Sequence, residues 1–123
     1  MLHTASFYAP QHWVGRLYRV SRRHPRGRPA QWETLPLLYP SLELLRAYRA
    51  GELDFDAFGL AYRQALDAAR AADPALQEWL AGAPALEDFT LLCFEAAGLP
   101  CHRRVLAQWL LARVPGLRLG ALR

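Results

Sequence analysis

The stretch Phe89-Thr90-Leu91-Leu92-Cys93-Phe94-Glu95, followed after a Gly/Pro loop by Cys101-His102-Arg103-Arg104, decides the fold. Asp88–Phe94 is predominantly apolar, which is typical of a strand covered on both faces. A helix is predicted from about Cys101 to Arg113, with Leu117–Ala121 as a closing strand. Strand, helix and strand of these lengths predict a βαβ unit with parallel strands and a right-handed crossover.

The rest of the chain extends this unit. Residues 13–20 alternate approximately between apolar and polar and predict a strand, with Thr4–Tyr8 as a shorter strand before it. The Arg-, Pro- and Gly-containing segment Ser21–Pro36 is predicted to be a loop. Helix starts are predicted at Ser41, Asp54 and Pro74, and helix stops at Gly51 and Gly82. We expect one α/β domain over residues 1–123, three-layered, with a small, mostly parallel sheet and helices on its faces.

The composition limits the class of protein. A chain of 123 residues that is 53% hydrophobic can bury a core without disulfides, and it is too apolar to be disordered. No run approaches the roughly 18 apolar residues of a membrane span, so no membrane partner is expected. The first six residues lack the pattern of a signal peptide, and two cysteines suit a reducing compartment. These features predict a cytoplasmic location.

The charges are distributed unevenly along the chain. All fifteen cationic residues are Arg, and Lys, Asn and Ile are absent, which indicates a GC-rich genome. The position of the arginines is therefore more informative than their type. Residues 1–32 carry six Arg and no acid, residues 33–95 carry four Arg and all eleven acids, and residues 96–123 carry five Arg and no acid. If the two basic ends meet in space, the molecule presents a sided field; the alternative is a solvated, mixed surface.

Two basic loops follow predicted strands. One is the segment 21–28 and the other is the segment 95–104. In open α/β sheets, ligands bind beyond the carboxyl ends of the strands. If the two strands are parallel neighbours, these loops converge on one crevice, and anion binding there is the central structural hypothesis.

Four residues around the second loop carry reactive groups. Cys101 heads a helix, a position that favours the thiolate, although it could also be a small residue that fills the turn. Cys93, inside the apolar strand, is interpreted as an inert core residue. His102 is a candidate acid, base or ligand, or it hydrogen-bonds a nearby carbonyl. Glu95 is expected to orient an Arg or His, with the role of a general base as the alternative.

The remaining candidate residues are predicted to bind the ligand rather than to react with it. Ser21 and Arg22 directly follow a strand and are best placed to reach it, whereas the last two arginines of that loop are expected to be solvated. Arg103 and Arg104 point in different directions on a helix, so one of the two is expected to face the crevice.

No metal or cofactor is predicted. Cys93, Cys101 and His102 lack the paired spacing of zinc sites and a fourth ligand. A phosphatase or rhodanese loop would need Arg six residues after Cys93, where the sequence has Leu99. Walker and dinucleotide glycine patterns are absent as well.

The sequence resembles the family called "domain of unknown function 488" over nearly its whole length. The similar segments are the strand end Leu91–Glu95 and Cys101-His102-Arg103, together with Val20–Pro25, Leu38–Ser41 and Tyr62-Arg63. The resemblance implies a small α/β domain with a parallel sheet. It also implies that Glu95, Cys101, His102 and Arg103 match characteristic polar positions of the family, and that Arg22 matches one more loosely. The reaction is left open.

Three functions therefore compete. The first is binding of a phosphate-bearing nucleotide or nucleic acid in the crevice, with Cys101-dependent catalysis as an option. The second is a non-enzymatic nucleic-acid or protein-binding module that uses the loop 21–28, with Trp13, Tyr18 and Trp32 as stacking faces. The third is a redox-sensing thiol at Cys101. Substrate, reaction type and oligomeric state are not determined by the sequence.

Overall fold

The computed structural model describes residues 1–123 and contains a single five-stranded parallel sheet. The strands are β1 (Leu2–Ser6), β2 (Arg16–Arg19), β3 (Glu33–Thr34), β4 (Phe89–Cys93) and β5 (Leu119–Leu122). The α-helices are α1 (Leu42–Arg49), α2 (Phe55–Ala72), α3 (Pro74–Gly82) and α4 (His102–Arg113). The strand order is β3-β2-β4-β1-β5 with every neighbouring pair parallel, which confirms the predicted α/β class.

The helices begin where the capping residues predict. The Ser41 hydroxyl accepts a hydrogen bond from the backbone N–H of Leu44, and the Asp54 carboxylate accepts one from Ala57. Pro74 occupies the first turn of α3, where its missing N–H is not needed. No helix in residues 1–123 combines the length and the apolar character that crossing a membrane requires.

The predicted strand over residues 13–20 is shorter than expected, and the predicted loop 21–36 contains a strand. Gly15 adopts a φ of +66°, so the chain turns there and β2 starts one residue later. The prediction of a loop without elements is wrong at Glu33 and Thr34, which pair with Tyr18 and Arg19. Two residues are too few for alternation, so their pairing at the sheet edge leaves no pattern in the sequence.

The direction in which each connection crosses the sheet determines which face of the sheet it covers. The connections β3–β4 and β4–β5 cross in one direction and carry all four α-helices, whereas β1–β2 and β2–β3 cross in the other direction and carry none. Parallel connections are almost always right-handed, so the two directions place their connections on opposite faces. The buried helical residues accordingly share one large cluster with one face of the strands.

The opposite face has a different cover from the one that was expected. It is covered by a small cluster of Ala5, Phe7 and Leu92, against which Trp13 and Trp32 from the connecting segments pack. The α/β class holds, but the second outer layer consists of loop side chains and a short 3-10 turn at Pro10–His12 rather than α-helices.

β2 and β4 are neighbours in the sheet, and this pairing positions the candidate site. They run parallel with Arg16 opposite Phe89, and the ladder continues through a hydrogen bond from the Val20 N–H to the Leu92 carbonyl. The loops that leave these strands therefore start at the same edge, as the sequence analysis predicted.

Candidate functional site

A cavity of about 210 Å³ lies at the carboxyl ends of β2 and β4. The loop after β2 contributes Ser21, Arg22 and Arg23, and the end of β4 with the start of α4 contributes Cys93, Glu95, Cys101 and His102. The helices α1 and α2 complete the wall with apolar and aromatic residues and with Arg49. The fold thus brings the two basic loops together around one crevice.

Cys101 is the N-cap of α4, and its side chain is directed to the cavity. The backbone there is extended, with φ −152° and ψ 140°, and the thiol makes no capping hydrogen bond to the helix. The sulfur instead lies within 4.8 Å of Cys93 Sγ and of a ring nitrogen of His102, and Glu95 lines the same cavity. The thiol is free, and 2% of the residue is exposed. Cys101 therefore faces other reactive groups rather than filling a turn.

Cys93 is buried, as predicted, but it lines the cavity instead of packing into the apolar core. Strand alternation puts it on the helical face of the sheet together with Phe89 and Leu91. Its Sγ lies 3.4 Å from Glu95 Oε2 and 3.8 Å from His102 Nδ1. The hydrogen bond with Cys101 and burial raise the pKa of the Cys93 thiol, so this sulfur stays protonated.

Glu95 is half-buried and ionised. Burial raises the pKa of Glu95, but hydrogen bonds from the Cys101 thiol, from its own backbone N–H and from the Cys93 thiol outweigh it, so the net shift is downward. The carboxylate forms no ion pair with an arginine. Its hydrogen-bonded side-chain partner is the Cys93 thiol, and the expected role of orienting an Arg or His stays a prediction.

His102 links α4 to β2. Its Nε2 lies 2.8 Å from the Val20 carbonyl oxygen, and because a carbonyl only accepts, Nε2 carries the proton. Burial lowers the pKa of His102, so the ring is neutral and Nδ1 keeps a free lone pair. The hydrogen bond to a nearby carbonyl that the sequence analysis considered is thus present, and Cys93 Sγ lies 3.8 Å from Nδ1 and 3.9 Å from Nε2.

Three exposed arginines line the mouth of the cavity: Arg22, Arg23 and Arg49. Arg22 Nε donates to the Pro40 carbonyl at 2.8 Å, which fixes the side chain and leaves other N–H groups free. None of the three forms an ion pair. With Glu95 as the only acid among the lining residues, the mouth carries an excess of positive charge.

The two arginines of α4 do not reach this cavity. Arg103 is fully buried, and its guanidinium donates to the carbonyls of Arg123 and Ala96, toward the end of β5. Arg104 donates to the Leu99 carbonyl. Successive helical residues differ by about 100° in direction, and Cys101 and His102 already occupy the directions toward the cavity. Ser21 therefore lines the cavity, whereas neither α4 arginine does.

The opposite wall of the cavity is aromatic, and the sequence analysis missed it. Tyr48 and Phe58 have ring centroids 5.1 Å apart, and Phe55 stacks on Phe58 at 5.9 Å. All three line the cavity. At helical spacing, such residues look like any core stripe, so the sequence contains no signal that they border a site. The sequence analysis also missed Arg49, one residue after Tyr48.

The three aromatic residues that were predicted as stacking faces for the Arg-rich loop pack against other side chains of the protein. Tyr18 is buried in the main cluster, and Trp13 and Trp32 pack against Phe7 on the opposite face of the sheet. Arg28 lies 4.9 Å from the ring centroid of Tyr8. The loop offers exposed cations, but not the three aromatic platforms that the sequence analysis assigned to it.

The fold and the site together define a small parallel α/β domain with a thiol-lined, Arg-rimmed pocket at the carboxyl ends of its strands. The chain belongs to the DUF488 family: residues 2–114 match DUF488-N3a, described as the active DUF488-N3 subclade. This match confirms the resemblance stated from the sequence. No curated protein matched the chain, and no solved structure matched it.

Proposed function

We propose that the protein binds a small phosphate-bearing nucleotide in this cavity and acts on it through Cys101 in the reducing cytoplasm. The observation that carries the proposal is that Cys101 and Glu95 line one cavity, below a mouth rimmed by three arginines that form no ion pair. The description of the matching subclade as active agrees with a catalytic role.

The division of the cavity into charged and aromatic parts supports a nucleotide. Arg22, Arg23 and Arg49 supply guanidinium groups, which suit phosphate oxygens through paired hydrogen bonds. Tyr48 and Phe55 offer an apolar surface for a base. A volume of about 210 Å³ favours a single nucleotide over a polynucleotide.

The chemistry follows from the arrangement of Glu95 and Cys101. Glu95 accepts the thiol proton, and the Cys101 sulfur forms a bond to an electrophilic atom of the ligand. The bond to the leaving group breaks with its electron pair, and the protonated carboxyl returns its proton to that group. Water then cleaves the bond to sulfur and restores the thiol.

The binding step is tested by calorimetric titration of the full chain with adenosine and guanosine monophosphates, with adenosine as the uncharged control. Arg22→Ala and Arg49→Ala should each weaken nucleotide binding by roughly tenfold, from about 1.5 kcal/mol for a charge-assisted hydrogen bond. Arg26→Ala, in the same loop but outside the cavity, is the matched control. Equal affinity for adenosine, or no binding of any of the three, would contradict the proposal.

The chemical step is tested in the same experiment with two further variants. Cys101→Ser should retain nucleotide affinity and lose product formation, followed by mass spectrometry of the nucleotide. Glu95→Gln should slow the labelling of Cys101 by iodoacetamide, whereas Glu78→Gln, exposed on α3, should not. A Cys101 that resists labelling in the folded protein would refute its role as nucleophile.

A further inference from the structure

We propose that Cys93, Glu95, Cys101 and His102 form a binding site for Zn²⁺. The two sulfur atoms and a ring nitrogen of His102 all lie within 4.8 Å of one another. Glu95 lies outside this close group of three, but its Oε2 is 3.4 Å from Cys93 Sγ, and a rotation of its side chain makes it the fourth donor. Two sulfurs, one imidazole and one carboxylate form a donor set that zinc accepts.

The distances fit a common centre. With zinc–sulfur bonds of about 2.3 Å and zinc–nitrogen or zinc–oxygen bonds of about 2.0–2.2 Å, tetrahedral ligand atoms lie roughly 3.3–3.8 Å apart. Cys93 Sγ lies 3.4 Å from the Glu95 oxygen and 3.8 Å from His102 Nδ1. The widest separation in the cluster of Cys93, Cys101 and His102, at most 4.8 Å, closes with movements of about 1 Å.

The histidine already has the tautomer that a metal ligand needs. Nε2 donates to the Val20 carbonyl at 2.8 Å, and this bond leaves Nδ1 unprotonated. Cys93 Sγ lies 3.8 Å from Nδ1 and 3.9 Å from Nε2, so sharing an ion bound to Nδ1 requires a small movement of the thiol or the ring. Metal-binding histidines typically donate their other ring N–H to a carbonyl or carboxylate in this way. The hydrogen bond thus selects the tautomer that binds metal.

The backbone explains how two consecutive residues can share one ion. Neighbours inside a helix point about 100° apart, but Cys101 lies just outside α4 with an extended backbone, and His102 is the first helical residue. Both side chains can therefore turn to the same point. On binding, Zn²⁺ replaces the two thiol protons, which pass to solvent, and the arginines at the mouth offset the remaining negative charge.

This inference does not depend on the proposed function, but it constrains it. A zinc-bound Cys101 thiolate keeps lone pairs on sulfur, but it shares its charge with the metal and is a weaker nucleophile than the free thiolate. Zinc loading should therefore slow the reaction of Cys101 with a ligand of the cavity.

The test uses the full chain, reduced and freed of metal by a chelator. Competition with a chromophoric chelator should give one Zn²⁺ per chain, and Co²⁺ should produce sulfur-to-metal charge-transfer bands. Cys93→Ser and His102→Gln should each weaken zinc binding by more than about 100-fold, since loss of an outer partner alone costs up to that much. His12→Gln is the control, and circular dichroism verifies that each variant is folded. Binding below one equivalent, absent charge-transfer bands, or folded variants with unchanged affinity would overturn the site.

Labelling with iodoacetamide separates this inference from the proposed function. Zinc should protect Cys101 in the native chain and fail to protect it in Cys93→Ser. Rapid labelling that zinc does not slow would refute the zinc site and leave the nucleophile intact. Stoichiometric zinc binding by a chain whose metal-free Cys101 never reacts would support the zinc site and refute the nucleophile.

Discussion

At the residue scale, the backbone distinguishes two thiols that look alike in the sequence. Cys93 ends a strand and cannot turn away from the face that alternation assigns to it. Cys101 lies on extended backbone between a loop and a helix, and its side chain lines the cavity together with Glu95. The sequence could single out Cys101 and Glu95 because strand ends and helix starts leave local signals. Cys93 is buried as predicted, but its position beside the cavity could not be predicted, because burial in a strand and burial beside a cavity have the same pattern.

Gly15 is the residue at which a single added methyl group should cost the most. Its φ is +66°, and a Cβ there would lie 1.9 Å from the Asp88 carbonyl oxygen. Gly15→Ala should therefore destabilise the protein by more than the roughly 1–3 kcal/mol expected for left-handed backbone alone, measured by urea unfolding.

Substitutions at two other glycines distinguish the stability cost of backbone strain from that of a steric clash. Gly27 also has a positive φ, of +75°, but an added Cβ would have no other atom within 4 Å, so Gly27→Ala should show the backbone cost only. Gly82 has an ordinary helical φ and open space, so Gly82→Ala should be neutral or stabilising by up to about 1 kcal/mol. Equal losses at Gly15 and Gly27 would contradict the clash with Asp88.

At the element scale, α2 and α4 are joined by one carboxylate. Asp67 on α2 accepts a hydrogen bond from Trp109 Nε1 at 2.9 Å and two from the Arg113 guanidinium at 3.0 and 3.2 Å, both on α4. The same two helices carry His102 (α4) and Phe55 and Phe58 (α2) at the cavity. The angle between the two helices is a tertiary property, so the aromatic wall could not be predicted from either helix alone.

Lowering the pH should weaken the contact of Asp67 with Trp109 and Arg113. The hydrogen bond from Arg113, followed by that from Trp109, lowers the pKa of Asp67 in the folded protein. A lowered folded pKa contributes stability that is present above the unfolded pKa and is lost as the pH falls through the folded value. Asp67→Asn should therefore lower the urea midpoint at neutral pH, and its difference from the native chain should shrink in acid. Glu78→Gln is the control; a difference that stays constant with pH would exclude this linkage.

At the scale of the whole molecule, the sequence predicts the fold class well but does not predict which layer covers each face of the sheet. Alternation, caps and the apolar run Asp88–Phe94 lead to a parallel α/β domain, because each of these signals is local. The strand order is not local. It is this order that sends both helical connections across the sheet in one direction and leaves the other face to Trp13 and Trp32. The segments 21–28 and 95–104 meet at the cavity only because β2 and β4 are neighbours, but no arginine of residues 96–123 lines it.

The loop between β2 and β3 couples the two faces of the sheet. It supplies Arg22 and Arg23 to the cavity and ends at Trp32, which packs 4.8 Å from Phe7 on the opposite face. Trp32→Ala should destabilise the chain by about 2–3 kcal/mol, and it should also weaken nucleotide binding although Trp32 does not line the cavity. The measurements are urea unfolding and the titration described above. Lower stability with unchanged affinity would show that the loop holds its arginines independently of Trp32.

The position of β1 has a consequence for how the chain reaches this structure. β1 is formed by the first residues, yet it lies between β4 and β5, with Leu2 opposite both Phe89 and Leu119. Its partners are separated from it by most of the chain, and such distant pairings slow folding because the intervening chain must first be ordered. During synthesis, β1 leaves the ribosome before either neighbour, so its apolar residues lack their partner strands until β4 and β5 follow.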